Sequence, residues 1–295
     1  MMKQFKAGFV NIIGLPNVGK STLMNSFIKE RISIVSPKAQ TTRNRILGFL
    51  NTSEYQIIFS DTPGLLEPKY ELQRTMMTYI EEALEDADII LYMTEAKDRP
   101  DLHFNFIEKI IKTKIPAFLV INKIDDVNET IAKALYETWK KYFDDEHIYI
   151  ISALHNFNID QLLKAIITHL PEHPPYYEDD ILTDKSERFI ASEIIREKIF
   201  LHYQQEIPYS TEVIVTSFKE SETIIKINAD IVVERDSQKP ILIGKNGESL
   251  KKTGTVARKE MERFFNKKVY LEMYVKVREN WRNDKNFLKQ FGYLK

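Results

Sequence analysis

The chain has no cysteine among its 295 residues. Disulfide frameworks, thiolate-bound zinc, iron–sulfur clusters and thiol nucleophiles are therefore excluded. No apolar run approaches the roughly 20 residues that a membrane-spanning helix needs; a stretch such as 115–121 has the length of a core strand. The opening MMKQFKAGFVNIIG lacks the apolar core and small-residue cleavage site of a secretory signal, so the expectation is a cytoplasmic protein. Glycine and proline are sparse, at 9 and 11 residues, which argues against collagen-like and low-complexity chains. The six histidines show no metal-ligand spacing.

What remains is a globular composition, 43% hydrophobic and 29% charged, long enough for about two domains. The net charge of −1 conceals an asymmetry. Residues 1–236 hold 27 Lys and Arg against 37 Asp and Glu, whereas 237–295 hold 15 against 6. A basic C-terminal segment on an acidic chain suits a polyanion, either nucleic acid or a membrane surface. From charge alone the plainer reading is a solvated helix face.

Apolar runs at 9–13, 55–59, 88–93, 115–121 and 148–151 alternate with amphipathic stretches such as Leu23, Met24, Phe27 and Ile28. That alternation predicts βαβ units and a mostly parallel, doubly wound α/β sheet. It stops at Leu170. PEHPPYYEDD follows, and its three prolines and run of acids predict a linker. Beyond it the pattern reads helix (187–203), strand (211–218), strand (223–233), helix (248–265) and strand (269–277), a smaller α+β domain. The expected boundaries are 1–171, a linker over 172–183, and 184–295. Trp139 and Trp281 are expected to serve packing.

Gly14-Leu15-Pro16-Asn17-Val18-Gly19-Lys20-Ser21 matches G-x-x-x-x-G-K-[ST] and lies between a predicted strand and a predicted helix. The glycines let successive N–H groups turn toward phosphate oxygens at the positive end of the helix. Lys20 supplies charge to the β and γ phosphates, and the Ser21 hydroxyl suits Mg²⁺. Val18, Gly19 and Thr22 complete the nucleotide-binding set from this loop.

Asn122-Lys123-Ile124-Asp125 follows a buried strand. The Asp125 carboxylate there can accept both the ring N1–H and the exocyclic amine of guanine, and adenine offers no such donor pair. Lys123 can lie along the base, and Asn122 can tie this loop to the phosphate loop. Ser152-Ala153-Leu154 ends the next strand, and the Ala153 N–H is expected to meet guanine O6. Asp61-Thr62-Pro63-Gly64 ends another strand. Asp61 can hold a water of the magnesium shell, and the Gly64 N–H can contact the γ-phosphate. In Gln40-Thr41-Thr42-Arg43, Thr42 rather than Thr41 is chosen to complete the metal shell when the γ-phosphate is present. The catalytic set is thus Lys20, Thr42, Asp61 and Gly64, and the metal set Ser21, Thr42 and Asp61.

The combination GLPNVGKS, QTTR, DTPG, NKID and SAL resembles the translation-factor-related GTPases, in particular the TrmE–Era branch. Where Ras-like proteins carry a water-orienting glutamine, this chain has Leu65, an apolar residue shared by the branch. The resemblance implies slow intrinsic hydrolysis of GTP to GDP. It also implies a potassium ion near Asn17, in the position of an arginine finger.

In the basic segment, Gly244-Lys245-Asn246-Gly247 forms a G-x-x-G between a stretch expected to be extended and an amphipathic helix. This is the KH arrangement, whose loop clamps a single-stranded backbone while a groove reads about four nucleotides. Ile243, Gly244, Lys245, Asn246, Gly247, Lys251, Lys252 and Arg258 are the candidate RNA-binding residues. The helix–strand–strand opening has the type II KH order.

One GTPase domain joined to a GxxG-bearing KH domain resembles the Era family over nearly the whole chain, although the family pattern reads GKGG where this chain has GKNG. The resemblance implies binding of 16S ribosomal RNA near its 3′ end, strengthened by GTP, and a role in small (30S) ribosomal subunit assembly. It further implies a cytoplasmic protein with peripheral contact at the inner face of the cell membrane. Two competing readings are a non-hydrolysing GTP-dependent scaffold, which Leu65 allows, and a membrane-peripheral regulatory GTPase.

Overall fold

The computed structural model describes residues 4–98 and 104–294; His103 lies outside the described residues. The chain forms two compact units. The first takes the chain up to Ser33, Thr42–Leu66 and Met76–Asp184, and the second Ile34–Thr41, Glu67–Thr75 and Lys185–Lys295.

The elements of the first unit are β1 (Lys6–Gly14), α1 (Lys20–Ile28), β2 (Ile46–Asn51), β3 (Tyr55–Asp61), α2 (Glu71–Glu85), β4 (Ile89–Glu95), α3 (Phe104–Thr113), β5 (Ala117–Asn122), α4 (Glu129–Trp139), β6 (Ile148–Ile150) and α5 (Ile159–His169), the start of α2 counting with the second unit. The six strands run in the order β2-β3-β1-β4-β5-β6, and only β2 is antiparallel to its neighbour. The central strands β3, β4 and β5 are buried almost throughout, as a parallel sheet covered on both faces requires. The doubly wound α/β sheet expected from the apolar runs is therefore present. The edge strand β2, with glycine at its centre, lies outside those runs.

The second unit continues with α6 (Glu187–His202), α7 (Ile207–Ser210), β7 (Glu212–Glu220), β8 (Ile224–Val233), α8 (Gln238–Ile243), α9 (Glu248–Phe265), β9 (Lys268–Val277) and α10 (Lys285–Gln290). β8 pairs antiparallel with β7 and parallel with β9. The core joins Ile190, Ile194 and Ile199 of α6 to Ile225, Ile227 and Ile231 of β8 and Met261 of α9. Ser186 caps α6 by accepting from the Phe189 N–H. Both tryptophans are fully buried, and Trp281 Nε1 donates to the Ser210 carbonyl at 3.0 Å.

Two sequence expectations need correction. The stretch before the GxxG loop is helix α8 rather than extended, because Pro240 falls in its first turn, where its missing N–H costs nothing. The segment expected as a linker over 172–183 is fastened to the first unit, which closes at Asp184 rather than at residue 171. Gln56 Oε1 accepts from the Tyr176 and Tyr177 N–H groups at 2.7 and 3.1 Å, and its Nε2 donates to Tyr177 O at 2.9 Å. Thr183 Oγ1 donates to Leu47 O at 2.6 Å, and the Phe49 N–H donates to Leu182 O at 3.1 Å. The segment thereby occupies the free edge of β2, which would otherwise offer unpaired backbone groups.

Gln56→Ala should break three of these bonds and destabilise the first unit by about 2 kcal/mol. Urea unfolding measures the loss, and limited proteolysis should show faster cleavage near residue 177.

Candidate functional site

Apart from Thr42, which precedes the antiparallel β2, the nucleotide-site candidates lie at or follow the ends of the parallel strands β1, β3, β5 and β6, the position at which open α/β sheets bind ligands. β1 runs into the phosphate loop and α1. Gly19 has φ +100, and a Cβ there would sit 2.3 Å from Asn122 Nδ2, so the turn admits only glycine. Val18 is buried and Asn17 exposed.

Lys20 is 6% exposed, and its ammonium donates to the carbonyls of Gly14 and Leu15 at 3.1 and 2.8 Å. Burial lowers its pKa to about 8, against the opposing pull of the Asp61 charge. Asp61, at the end of β3, is fully buried. Burial pushes its carboxyl up, outweighing the Ser21 hydrogen bond and the Lys20 charge. Ser21 Oγ donates to Asp61 Oδ2 at 2.6 Å and lies 3.0 Å from Thr42 Oγ1, so the three proposed metal oxygens converge. Asp61 Oδ1 is buried without a hydrogen-bond partner. One carboxylate with a spare oxygen and two hydroxyls fit Mg²⁺, which takes hard oxygen ligands and few protein carboxylates.

Gly64 lies against the phosphate loop, where an added Cβ would stand 2.6 Å from Pro16 Cα. The next N–H, of Leu65, donates to Gly14 O at 3.0 Å. The Leu65 side chain packs against the cluster holding Ile13, Ile80 and Tyr92.

Asn122 joins three loops. Its Nδ2 donates to Val18 O at 2.7 Å, and its Oδ1 accepts the Ala153 N–H at 2.9 Å. The Ala153 N–H expected to meet guanine O6 thus already donates to Asn122 Oδ1, and O6 would share it with that amide. Asp125 is held below the usual carboxylate range chiefly by the Ser152 hydroxyl. Thr22 sits half-buried on α1, and Leu154 is 71% exposed.

Two neighbours escaped the sequence reading. Glu95, at the end of β4, forms an ion pair with Lys123, and its strand-end position was the available signal. His155 Nε2 lies 3.7 Å from Asp125 Oδ2, a contact that no sequence pattern marked.

In the second unit, Gly244 (φ +73) and Gly247 (φ +78) bracket the GxxG loop. A Cβ on Gly244 would meet Ser249 Cβ at 2.7 Å. Asn246 has φ 51, the left-handed conformation that asparagine tolerates. A groove of about 340 Å³ beside the loop is lined by Gly247, Leu250, Lys251, Gly254, Arg258 and Met273, among others. Lys245, Asn246 and Lys252 are exposed but are not among the residues that line it, and Ile243 is half-buried against the core of the unit. Gly254 was missed. A Cβ on it would fall 2.5 Å from Met273 Cε, so this glycine keeps the groove floor open, and its place inside an amphipathic helix was the signal.

Fold and site together define a P-loop GTPase unit followed by a KH unit. Residues 9–123 match the family described as 50S ribosome-binding GTPase, and 206–282 match the KH domain family. The chain is 44% identical over 291 residues to GTPase Era of Ruminiclostridium cellulolyticum, covering 98% of each. It is 45% identical over 295 residues to that of Staphylococcus haemolyticus, covering 99% of each. A crystal structure of Era in complex with MgGDPNP and nucleotides 1506–1542 of 16S ribosomal RNA matches with a TM-score of 0.92 at 40% identity, over 99% of this chain and 100% of that one. A variant of Aquifex aeolicus Era bound to GDP and AlF4− matches at 0.93 with the same identity and coverage. The chain belongs to the Era family of GTPases. Among the described residues, no helix is long and apolar enough to cross a membrane.

Asn122→Ala should leave Val18 O and the Ala153 N–H unpaired and loosen three loops at once. The expected result is a loss of guanine-nucleotide affinity of about 100-fold, or roughly 2–3 kcal/mol, read by calorimetric titration of GDP.

Proposed function

We propose that this GTPase binds the 3′ region of 16S ribosomal RNA through its KH unit and acts in assembly of the small (30S) ribosomal subunit, with nucleotide state controlling its hold on RNA. The observation that carries the reading is the convergence of Ser21, Thr42 and Asp61 oxygens beside the buried Lys20, in a chain that also bears a GxxG groove. The Era structure bound to 16S nucleotides supports the choice of RNA.

In the mechanism, N–H groups of the loop 14–19 and the start of α1 receive the phosphate oxygens. Lys20 exchanges its two carbonyl acceptors for the β and γ phosphates. Ser21 and Thr42 would ligate the magnesium ion, and Asp61 would hold a water of the metal shell. When bound, the ion neutralises charge on the phosphate oxygens. Asp125, kept ionised beside Ser152, accepts from guanine N1–H and its amine. The side chain of Leu65 has no group to orient water, so intrinsic turnover is slow. Exposed Asn17 is the residue that would take a potassium ion, which supplies positive charge between the β and γ phosphates.

Coupling to RNA runs along the chain. Thr42 directly follows Ile34–Thr41, a segment of the second unit. In that segment the Val35 N–H donates to Glu197 Oε1 at 3.0 Å, and Lys38 donates to the Phe200 carbonyl at 2.5 Å. Order imposed at Thr42 therefore reaches α6 of the KH unit. The reading places the protein in the cytoplasm; peripheral contact with the inner face of the cell membrane rests on the basic C-terminal segment alone.

Gly247→Asp is the appropriate test of the groove, because its Cβ position has nothing within 4 Å. It should weaken binding of a 16S 3′-end RNA tenfold or more at a temperature where the chain stays folded, the left-handed φ of +78 costing a small drop in thermal midpoint, and unchanged affinity removes the loop from the reading. GTP turnover should be at least tenfold faster in potassium than in sodium buffer, and equal rates remove potassium.

A further inference from the structure

The GxxG groove uses one side of β9. Leu271 and Met273 line it, while Lys268, Tyr270, Glu272, Tyr274 and Lys276 alternate onto the opposite face of the sheet. Tyr270 and Tyr274 are 50% and 54% exposed, about 13 Å apart along the strand at ~3.3 Å per residue. Scattered surface aromatics need no explanation, but these two share a face with a cross-strand row of cations. Lys219 of β7 stands directly opposite Lys226 of β8, and Lys226 is in register with Tyr270.

Like charges directly opposite destabilise a sheet. Neither lysine has an ion-pair partner among the described residues, and nor has Lys268, although Lys267 nearby pairs with Glu220. The acids of this face are largely engaged. Asp230 is neutralised by Lys276 at 2.6 Å, and Glu272 accepts the Tyr270 hydroxyl at 2.7 Å. Three unpaired lysines thus face one carboxylate without a cation. A surface that tolerates opposed cations beside one open phenol ring, with a second ring four residues along the strand, is complementary to a chain of phosphates and bases.

We propose that the outer face of the KH sheet is a second single-stranded RNA surface, with bases stacked on Tyr270 and Tyr274 and phosphates met by Lys219, Lys226 and Lys268. The strand order β7-β8-β9 makes β9 the outer strand. RNA leaving the groove past Leu271 and Met273 has one strand to round before it reaches Tyr270. The proposal rests on the reading that the KH unit binds RNA, and it lengthens the contacted segment beyond the roughly four nucleotides of one KH groove.

The test uses the full chain and two RNAs from the 16S 3′ region, one sized to the groove and one extended by about eight nucleotides. Wild type should bind the extended RNA more tightly. Tyr270→Ala and Tyr274→Ala should each cost roughly fivefold or more on the extended RNA, with no change on the short one. Tyr270→Phe, which keeps the ring, should bind as wild type does. Lys219→Gln combined with Lys226→Gln should flatten the salt dependence by about 1.4, the slope of two phosphates on a single strand. GTP turnover should not move in any of these variants, and the double lysine variant, relieved of its opposed charges, should have the higher thermal midpoint. The proposal is overturned if the tyrosine variants bind extended RNA like wild type. It is equally overturned if they lose self-association or binding to anionic vesicles while RNA affinity holds, which would assign the face to a protein or a membrane. If wild type binds neither RNA, the RNA reading itself has failed and the proposal falls with it, a result distinct from loss of the difference between the two lengths.

Discussion

Two opposite charges buried side by side govern the first unit. Lys20 and Asp61 are withdrawn from water, and each is shifted toward its neutral form by that withdrawal. Their mutual attraction does not cancel the cost, because buried ion pairs recover their desolvation only with complete partners. Lys20 has two carbonyls and Asp61 retains a bare oxygen. A ligand that brings negative oxygens to the lysine and a hard cation to the carboxylate repairs both deficits at once. A nucleoside triphosphate with magnesium does so, and a single phosphate monoester or a neutral ligand does not.

Holding those charges in place demands a rigid surround, and the loops provide it through close approach. Gly19 lies against Asn122, Gly64 against Pro16, and the Leu65 N–H against the Gly14 carbonyl. Asn122 extends the contact to Val18 and Ala153, so phosphate recognition and base recognition share one amide. A shift in the base loop is therefore felt at the phosphate loop without any domain motion.

What could be read in advance follows from the range of the interactions. The phosphate loop, Asp61-Thr62-Pro63-Gly64 and Asn122-Lys123-Ile124-Asp125 are contiguous strings whose backbone demands are local, so sequence displays them directly. The β2 strand was hidden because six residues with a central glycine become a strand only by pairing with β3. The 172–183 segment reads as loose from its prolines, yet one buried glutamine 120 residues away binds it at Tyr176. The engagement of the Ala153 N–H depends on a side chain 31 residues distant. α8 was mistaken for extended chain because six residues are too few to display a helical period.

The second unit contains a polar connection of its own that bears on control. Glu197, 1% exposed, accepts the Val35 N–H through one oxygen and Lys198 through the other at 2.6 Å. Lys198, 4% exposed, also donates to Glu260 of α9 at 2.5 Å. Buried charges of this kind are poor sources of stability but strong determinants of register, since moving one member strands the others. Here they fix the segment that leads into Thr42 to α6, and α6 to the helix that forms one wall of the GxxG groove. On the proposed function, a nucleotide that orders Thr42 would act on that register, and by linkage an RNA that reshapes the groove helix would alter nucleotide affinity by the same factor.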